Sequence, residues 1–118
     1  MNKCISKSFT FEAAHSLKTT KNHKNKNIHG HSFHVRIFIK GKIKKDGMII
    51  DFFILNKTIE DLKDKLDHSY LNDIQEIETP TLENIGSWIW KQIKPKLKNL
   101  YKVKIQRKTC GESFSISI

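Results

Sequence analysis

Proline and glycine are scarce, two and five among 118 residues, and no stretch reads as a linker, an internal repeat or a low-complexity tail. Cysteine is as scarce as proline. Cys4 and Cys110 are the only two, and Met1 to Thr10 lacks the apolar segment of a secretory signal, so a reduced cytoplasmic protein is expected. No run approaches the roughly 18 consecutive apolar residues that cross a bilayer, which excludes a membrane-spanning helix. Acids are the minority charge. Twelve Asp and Glu stand against 22 Lys and Arg, a formal charge of +10, which suits either an anionic partner (a phosphate ester, a nucleic acid, an acidic surface) or a solvated lysine-rich exterior. The length fits one domain, residues 1–118, with a real core but not two domains, so a large substrate site would have to be shared between subunits.

Two periodicities alternate along what is present. In "ISKSFTF" the residues Ile5, Phe9 and Phe11 share one parity and Ser6, Ser8 and Thr10 the other, which predicts a half-buried strand running to about Ala13. "SFHVRIFIKG" repeats the pattern with Phe33, Val35, Ile37 and Ile39. A turn is expected at Asp46-Gly47, with Ile49 and Ile50 briefly extended beyond it. The spacing then becomes helical: Phe52, Leu55, Ile59, Leu62 and Leu66 predict one amphipathic helix. Ile85, Trp88, Ile89, Ile93 and Leu97 predict a second, opened by Thr81 as N-cap with Glu83 in its first turn and kinked or ended by Pro95. "YKVKIQRKTCGESFSISI" reads as two closing strands around Thr109-Cys110-Gly111. The expected fold is α+β: an antiparallel four-stranded sheet with both helices on one face, in the order ββααββ.

Against this frame the histidines are unevenly placed. "HKNKNIHGHSFHV" holds four of the six within thirteen positions. His29 and His31, two apart in an extended segment, project to the same side. If the first two strands form an antiparallel pair, His15 at the end of the first arrives beside them. Three imidazoles with a vacant fourth position make a catalytic rather than a structural metal site, since structural sites fill all four places with protein ligands, usually thiolates. His23 and His34 read as ordinary polar residues, His34 on the opposite face.

The blocks "FTFEAAHSL", "HGHSFHV", "GMIIDF", "LDHSYLND" and "TPTLENIGSWIW" occur in an order and spacing that resemble the 6-pyruvoyltetrahydropterin synthase family, and most closely its bacterial 6-carboxytetrahydropterin synthase branch of queuosine biosynthesis. The resemblance implies zinc on His15, His29 and His31. It implies a tunnelling fold, with three subunits closing a twelve-stranded barrel, two such trimers forming a homohexamer, and sites between subunits. It also implies a lyase that converts 7,8-dihydroneopterin triphosphate to 6-carboxytetrahydropterin with loss of acetaldehyde and triphosphate. Asp67 and His68 match the family's aspartate-histidine catalytic pair, in which the carboxylate fixes the imidazole tautomer.

Two positions depart from the family pattern. Its catalytic cysteine, four residues before His-Gly-His, is Asn25 here, and a carboxamide is no general base near neutral pH. Its pterin-anchoring glutamate falls on Lys108 if the Thr-Cys pair is matched, or on Arg107 if strand parity is matched. Glu112 takes over that role only if the hairpin is shortened. Three readings follow: a pterin lyase in which His68, Cys110 or a metal-activated water replaces the thiol; a zinc-retaining relative with a different substrate or no catalysis; and a non-catalytic binder of nucleic acid, ranked last because the Lys-rich loop lacks interleaved aromatics. Lys18, Lys21, Lys24 and Lys26 flank the histidines and would steer a triphosphate toward them.

Overall fold

A computed structural model describes all residues, 1–118. Two twelve-residue strands, β1 (Cys4–His15) and β2 (His29–Lys40), are joined by a loop that contains the one-turn helix α1 (His23–Lys26). They pair antiparallel along their whole length, from Cys4 opposite Lys40 to His15 opposite His29. Alternation sets what each face carries. Phe9, Phe11, Phe33, Val35, Ile37 and Ile39 are buried on one side, while Ser8, Thr10 and Arg36 on the other are exposed.

Helix α2 (Phe52–Leu66) packs on β1, and α3 (Leu82–Ile93) packs on β4 (Leu100–Arg107) and β5 (Glu112–Ser117). Each helix begins at a side-chain cap: Asp51 accepts from Phe53 N–H, and Thr81 accepts from Asn84 N–H at 3.1 Å. Leu55, Ile59, Leu62 and Leu66 of α2 and Ile85, Trp88, Ile89 and Ile93 of α3 join one core cluster with the strand residues. Each such side chain contributes about 1.5–3 kcal/mol through burial. Gly86 lets α3 approach closely, since a Cβ there would lie 2.6 Å from Phe114 Cδ2 and 3.2 Å from Ile105 Cγ2. The last helical residue is Ile93, two before Pro95, whose missing N–H cannot continue the ladder. Leu97 is nevertheless buried, carried inward by a turn in which its N–H donates to the Ile93 carbonyl at 2.9 Å.

Several expectations are corrected. The sheet has five strands, not four, in the order β3-β1-β2-β4-β5. The extra strand β3 (Ser69–Tyr70) pairs parallel with Ala13 and Ala14 of β1. The chain order is therefore βαβαβαββ rather than ββααββ. Two residues carry no readable alternation, and β3 exists because the His68 backbone N–H donates to the Glu12 carbonyl at 2.6 Å. β1 continues to His15 instead of stopping near Ala13, held by the unbroken ladder to β2. Phe52 stands at the start of α2, outside the buried stripe and 46% exposed. Ile49 and Ile50 form bends rather than a strand extension. No helix is long and apolar enough to cross a membrane.

Candidate functional site

The final rung of the β1–β2 ladder places His15 across from His29, and His31 lies across from Ala13 one rung inward on the same face. The three rings form a near-equilateral cluster, with centroids 4.6 Å (His15–His29), 5.1 Å (His15–His31) and 4.9 Å (His29–His31) apart. Phe33, the next inward-facing residue of β2, forms the floor beneath His15 and His31 at 5.8 and 5.7 Å.

Hydrogen bonds fix which nitrogen is free in two of the three rings. His15 Nδ1 bonds the Pro80 carbonyl at 2.8 Å, and His29 Nδ1 bonds the Asn27 carbonyl at 2.8 Å. A carbonyl only accepts, so both Nδ1 atoms carry the proton and both Nε2 atoms keep a lone pair. Nε2 of His15, His29 and His31 is in each case buried without a partner, and one nitrogen from each ring lies within 4.8 Å of the others. Three buried, unpartnered imidazole nitrogens gathered in this way, two of them fixed as acceptors, fit a divalent cation of borderline softness.

The electrostatics favour the neutral, ligating form. Burial is the main reason the His15 pKa falls from 6.5 to about 4; the Pro80 bond opposes this, and His29, His31 and Arg107 reinforce it. Burial also lowers His31, helped by Arg107 and His29 and opposed by Glu112.

Asp67 and His68 form a defined pair rather than a frayed helix end. Asp67 caps α2; its Oδ1 accepts from Glu12 N–H at 2.8 Å, and its Oδ2 accepts from His68 Nδ1–H at 3.1 Å. The Glu12 bond is the first cause holding the Asp67 carboxyl below its usual range, with His68 and Lys63 adding to it against desolvation. His68 has a backbone φ of 58°, a left-handed conformation costing a non-glycine residue about 1 kcal/mol. Its ring is 80% exposed. His31 and His68 border the same open recess of about 470 Å³, together with Glu12, Gly30, Ser32 and Ser69.

Asn25 sits on α1, half-buried, and its carbonyl accepts from Leu17 N–H at 2.8 Å, tying the loop to the end of β1. Lys108 is exposed in the tight turn Lys108–Cys110, and Cys110 is exposed beside it. Arg107, by contrast, lies across from Glu112 on the last rung of β4–β5, on the parity of Ile105 and Phe114 that faces the histidines. Its Nη2 donates to Glu112 Oε1 at 2.9 Å. Lys18, Lys21, Lys24 and Lys26 are all exposed.

Two participants escape a reading of the sequence. Glu12 holds the Asp67–His68 corner with both of its own backbone groups, its N–H donating to Asp67 Oδ1 and its carbonyl accepting from His68 N–H, and its carboxylate accepts from Ser32 Oγ at 2.7 Å; its position on the outward parity of β1 was the available signal. Pro80 orients His15 through its carbonyl, a contact across 65 residues with no sequence signature.

The family model "6-pyruvoyl tetrahydropterin synthase" matches residues 4–117. The chain is 40% identical over 95 residues to the 6-carboxy-5,6,7,8-tetrahydropterin synthase of Synechocystis, covering 75% of this chain and 73% of that protein. It is 34% identical over 109 residues to the dihydroneopterin monophosphate aldolase of Pyrococcus furiosus, covering 92% and 90%. The solved structure of Caenorhabditis elegans 6-pyruvoyl tetrahydropterin synthase superposes with a TM-score of 0.85 at 23% identity, covering 100% of this chain and 96% of that one. The family model spans nearly all of the fold that carries the histidine cluster, and the chain belongs to the 6-pyruvoyl tetrahydropterin synthase family.

Proposed function

We propose that this protein is a zinc-dependent carbon-carbon lyase of the 6-carboxytetrahydropterin synthase type, acting on 7,8-dihydroneopterin triphosphate in queuosine biosynthesis. The observation that carries this reading is the set of three buried, unpartnered Nε2 atoms on His15, His29 and His31. Zinc held there supplies Lewis acidity toward negative charge developing on a substrate oxygen.

The remaining chemistry falls to the protein. With Asn25 at the family's cysteine position, proton transfer passes to His68. Its Nδ1–H is taken up by Asp67, so Nε2 is the basic nitrogen and the neighbouring carboxylate stabilises the imidazolium that forms. The exposed ring at the recess shared with His31 is accessible to a substrate bound there. Lys18, Lys21, Lys24 and Lys26 raise the local concentration of a triphosphate.

Self-association is part of the same reading. Ile43, Met48, Phe52, Phe53 and Ile54 expose apolar side chains around one end of the sheet, more than an isolated small domain ordinarily leaves in water. The outer edge of β1 is unpaired except at Ala13 and Ala14, and the outer edge of β5 is unpaired. Such edges join copies into a closed assembly, here a homohexamer of two trimers. Exposed free thiols at Cys4 and Cys110 agree with work in the reducing cytoplasm.

A second reading has its own support. Asn25, and a cation instead of an acid at Arg107 or Lys108, favour a zinc-retaining member that performs a different cleavage of a dihydroneopterin phosphate or none. Incubating zinc-loaded protein with 7,8-dihydroneopterin triphosphate and assaying acetaldehyde and triphosphate decides between them. Stoichiometric release supports the first reading. Substrate binding without those products rejects it. Asn25→Cys is expected to raise turnover about tenfold or more, less than the roughly 10²–10⁴ of a sole positioned base because His68 already transfers protons.

A further inference from the structure

Helices α2 and α3 cover one face of the sheet, and the other face is left open. On the open face the strand registers align one residue from each of four strands into a single row. Ser8 lies opposite Arg36, Arg36 opposite Lys104, and Lys104 opposite Ser115. Ser8, Arg36 and Ser115 are exposed and Lys104 is half-buried. Arg36 and Lys104 thus stand side by side with Cβ atoms about 5 Å apart, the arrangement in which like charges destabilise a sheet.

Nothing in the chain offsets that repulsion. Glu12 is the one acid that β1, β2, β4 and β5 turn to this face; it lies two rows away, and its carboxylate is engaged by Ser32 Oγ at 2.7 Å. The two ion pairs, Asp67–His68 and Arg107–Glu112, lie elsewhere. Arg36 donates one N–H to Ser6 Oγ at 2.8 Å, and its other donors have no protein partner. In the next row, two residues along β4 and about 7 Å away, Lys102 adds a third cation, its Nζ 5.5 Å from the centroid of the Phe38 ring.

This donor set decides the class of ligand. An oxyanion placed between Arg36 and Lys104 takes charge-assisted hydrogen bonds from both and turns their repulsion into a shared contact. A second or third linked phosphoryl group reaches Lys102. A nucleic-acid strand would need exposed rings on which bases stack, whereas the rings on this face, His34 and Phe38, are half-buried. In the closed trimer proposed above the helices lie outside, and this face becomes an inner wall open to small ions but not to a folded partner.

We propose that Ser8, Arg36, Lys104 and Ser115 form a binding site for a short inorganic phosphate chain, a di- or triphosphate, with Lys102 at its far end. The site is on the opposite face of the sheet from the histidine cluster, and Arg36 lies about 17 Å along β2 from His31. It goes beyond the pterin reading: the lyase reaction releases one such chain, but binding here does not require that reaction.

The test is equilibrium dialysis of zinc-loaded full-length protein against inorganic tripolyphosphate or orthophosphate, at an ionic strength held constant with sodium chloride. Tripolyphosphate is expected to bind at least about tenfold more tightly than orthophosphate, because only the chain reaches both rows. Arg36→Ser and Lys104→Ser should each weaken tripolyphosphate by about tenfold or more, the worth of a lost charge-assisted hydrogen bond. Neither should lower the melting temperature of the anion-free protein, since each relieves the repulsion. Lys91→Ser, which removes an exposed cation from α3, should bind like the wild type. Any zinc drawn off by the anion is common to all these chains, so the differences between them isolate the row. Wild-type affinity in Arg36→Ser or Lys104→Ser, an equal loss in Lys91→Ser, or orthophosphate binding as tightly as tripolyphosphate would overturn the site. So would a single-stranded oligoribonucleotide that binds more tightly than either anion through the same residues. Absent lyase activity with tripolyphosphate binding intact rejects the pterin reading alone and upholds the site.

Discussion

His15 and His29 face each other on the last rung of the β1–β2 ladder with their ring centroids 4.6 Å apart, although fourteen positions separate them in sequence. Each imidazole is tethered through Nδ1 to a different backbone carbonyl, Pro80 for one and Asn27 for the other. The first expectation follows from this arrangement. His15→Ala, His29→Ala and His31→Ala should each cut zinc retention from stoichiometric to a small fraction of a mole per mole at matched free-metal concentration, because two imidazoles do not make a tetrahedral site. Inductively coupled plasma mass spectrometry after dialysis against a weak chelator measures this. Full retention by any one of them would remove that ring from the site.

The metal-free protein should lose stability in mild acid. A His15 pKa of about 4 in the fold against 6.5 when unfolded means that the unfolded chain binds the extra proton, so stability rises with pH across that window. The contribution is complete above about pH 6.5 and disappears as pH falls toward 4, at most about 3 kcal/mol for a shift of this size. Lowered His31 acts with the same sign. Urea unfolding of apo-protein at pH 7.5 and pH 5 should show a lower midpoint at pH 5 with an unchanged m-value.

His68 is assigned proton transfer and not folding, so its removal should separate the two. His68→Ala should reduce kcat by about 10²–10⁴ while zinc content stays stoichiometric. Asp67→Asn should reduce it less, because the amide still accepts the His68 Nδ1–H but supplies no charge opposite the ring. An unchanged kcat in the Asp67 variant would mean that its carboxylate serves only to cap α2 and anchor Glu12.

Gly86→Ala tests the helix seat. Alanine raises helix propensity by about 1 kcal/mol, but its Cβ would stand 2.6 Å from Phe114 Cδ2, and overpacking of this kind costs about 1–3 kcal/mol. The clash should win, lowering the melting temperature, and Phe114→Leu in the same chain should recover part of the loss. Thermal unfolding of the single and double variants reports both effects.

Much of this molecule is legible in its sequence, because much of it follows short-range periodicity. The parity of Phe9, Phe11, Phe33, Val35 and Ile37 gives the strands and their buried face, and the same parity carried to His29 and His31 gives two corners of the cluster. The third needs only a hairpin. What stays hidden depends on contacts without local pattern. β3 is created by a backbone bond from His68 to Glu12, and the orientation of His15 depends on a carbonyl 65 residues away. Phe52 keeps the helical spacing and is nevertheless exposed, because it stands at the first residue of α2. The choice between Arg107 and Lys108 is undecidable from spacing, since motif and parity point to different residues. In the hairpin Arg107 holds the last paired position of β4 and Lys108 lies exposed in the turn that follows.

The bond from His15 to Pro80 has a mechanical corollary. Pro80 immediately precedes Thr81, the cap of α3, so the same few atoms that start the helix also aim the imidazole. A helix rocking on its bed would swing the ring, and a ring gripped by an ion would steady the helix. Hydrogen exchange in the first turn of α3 should therefore slow on zinc loading, making the start of that helix a gauge of occupancy.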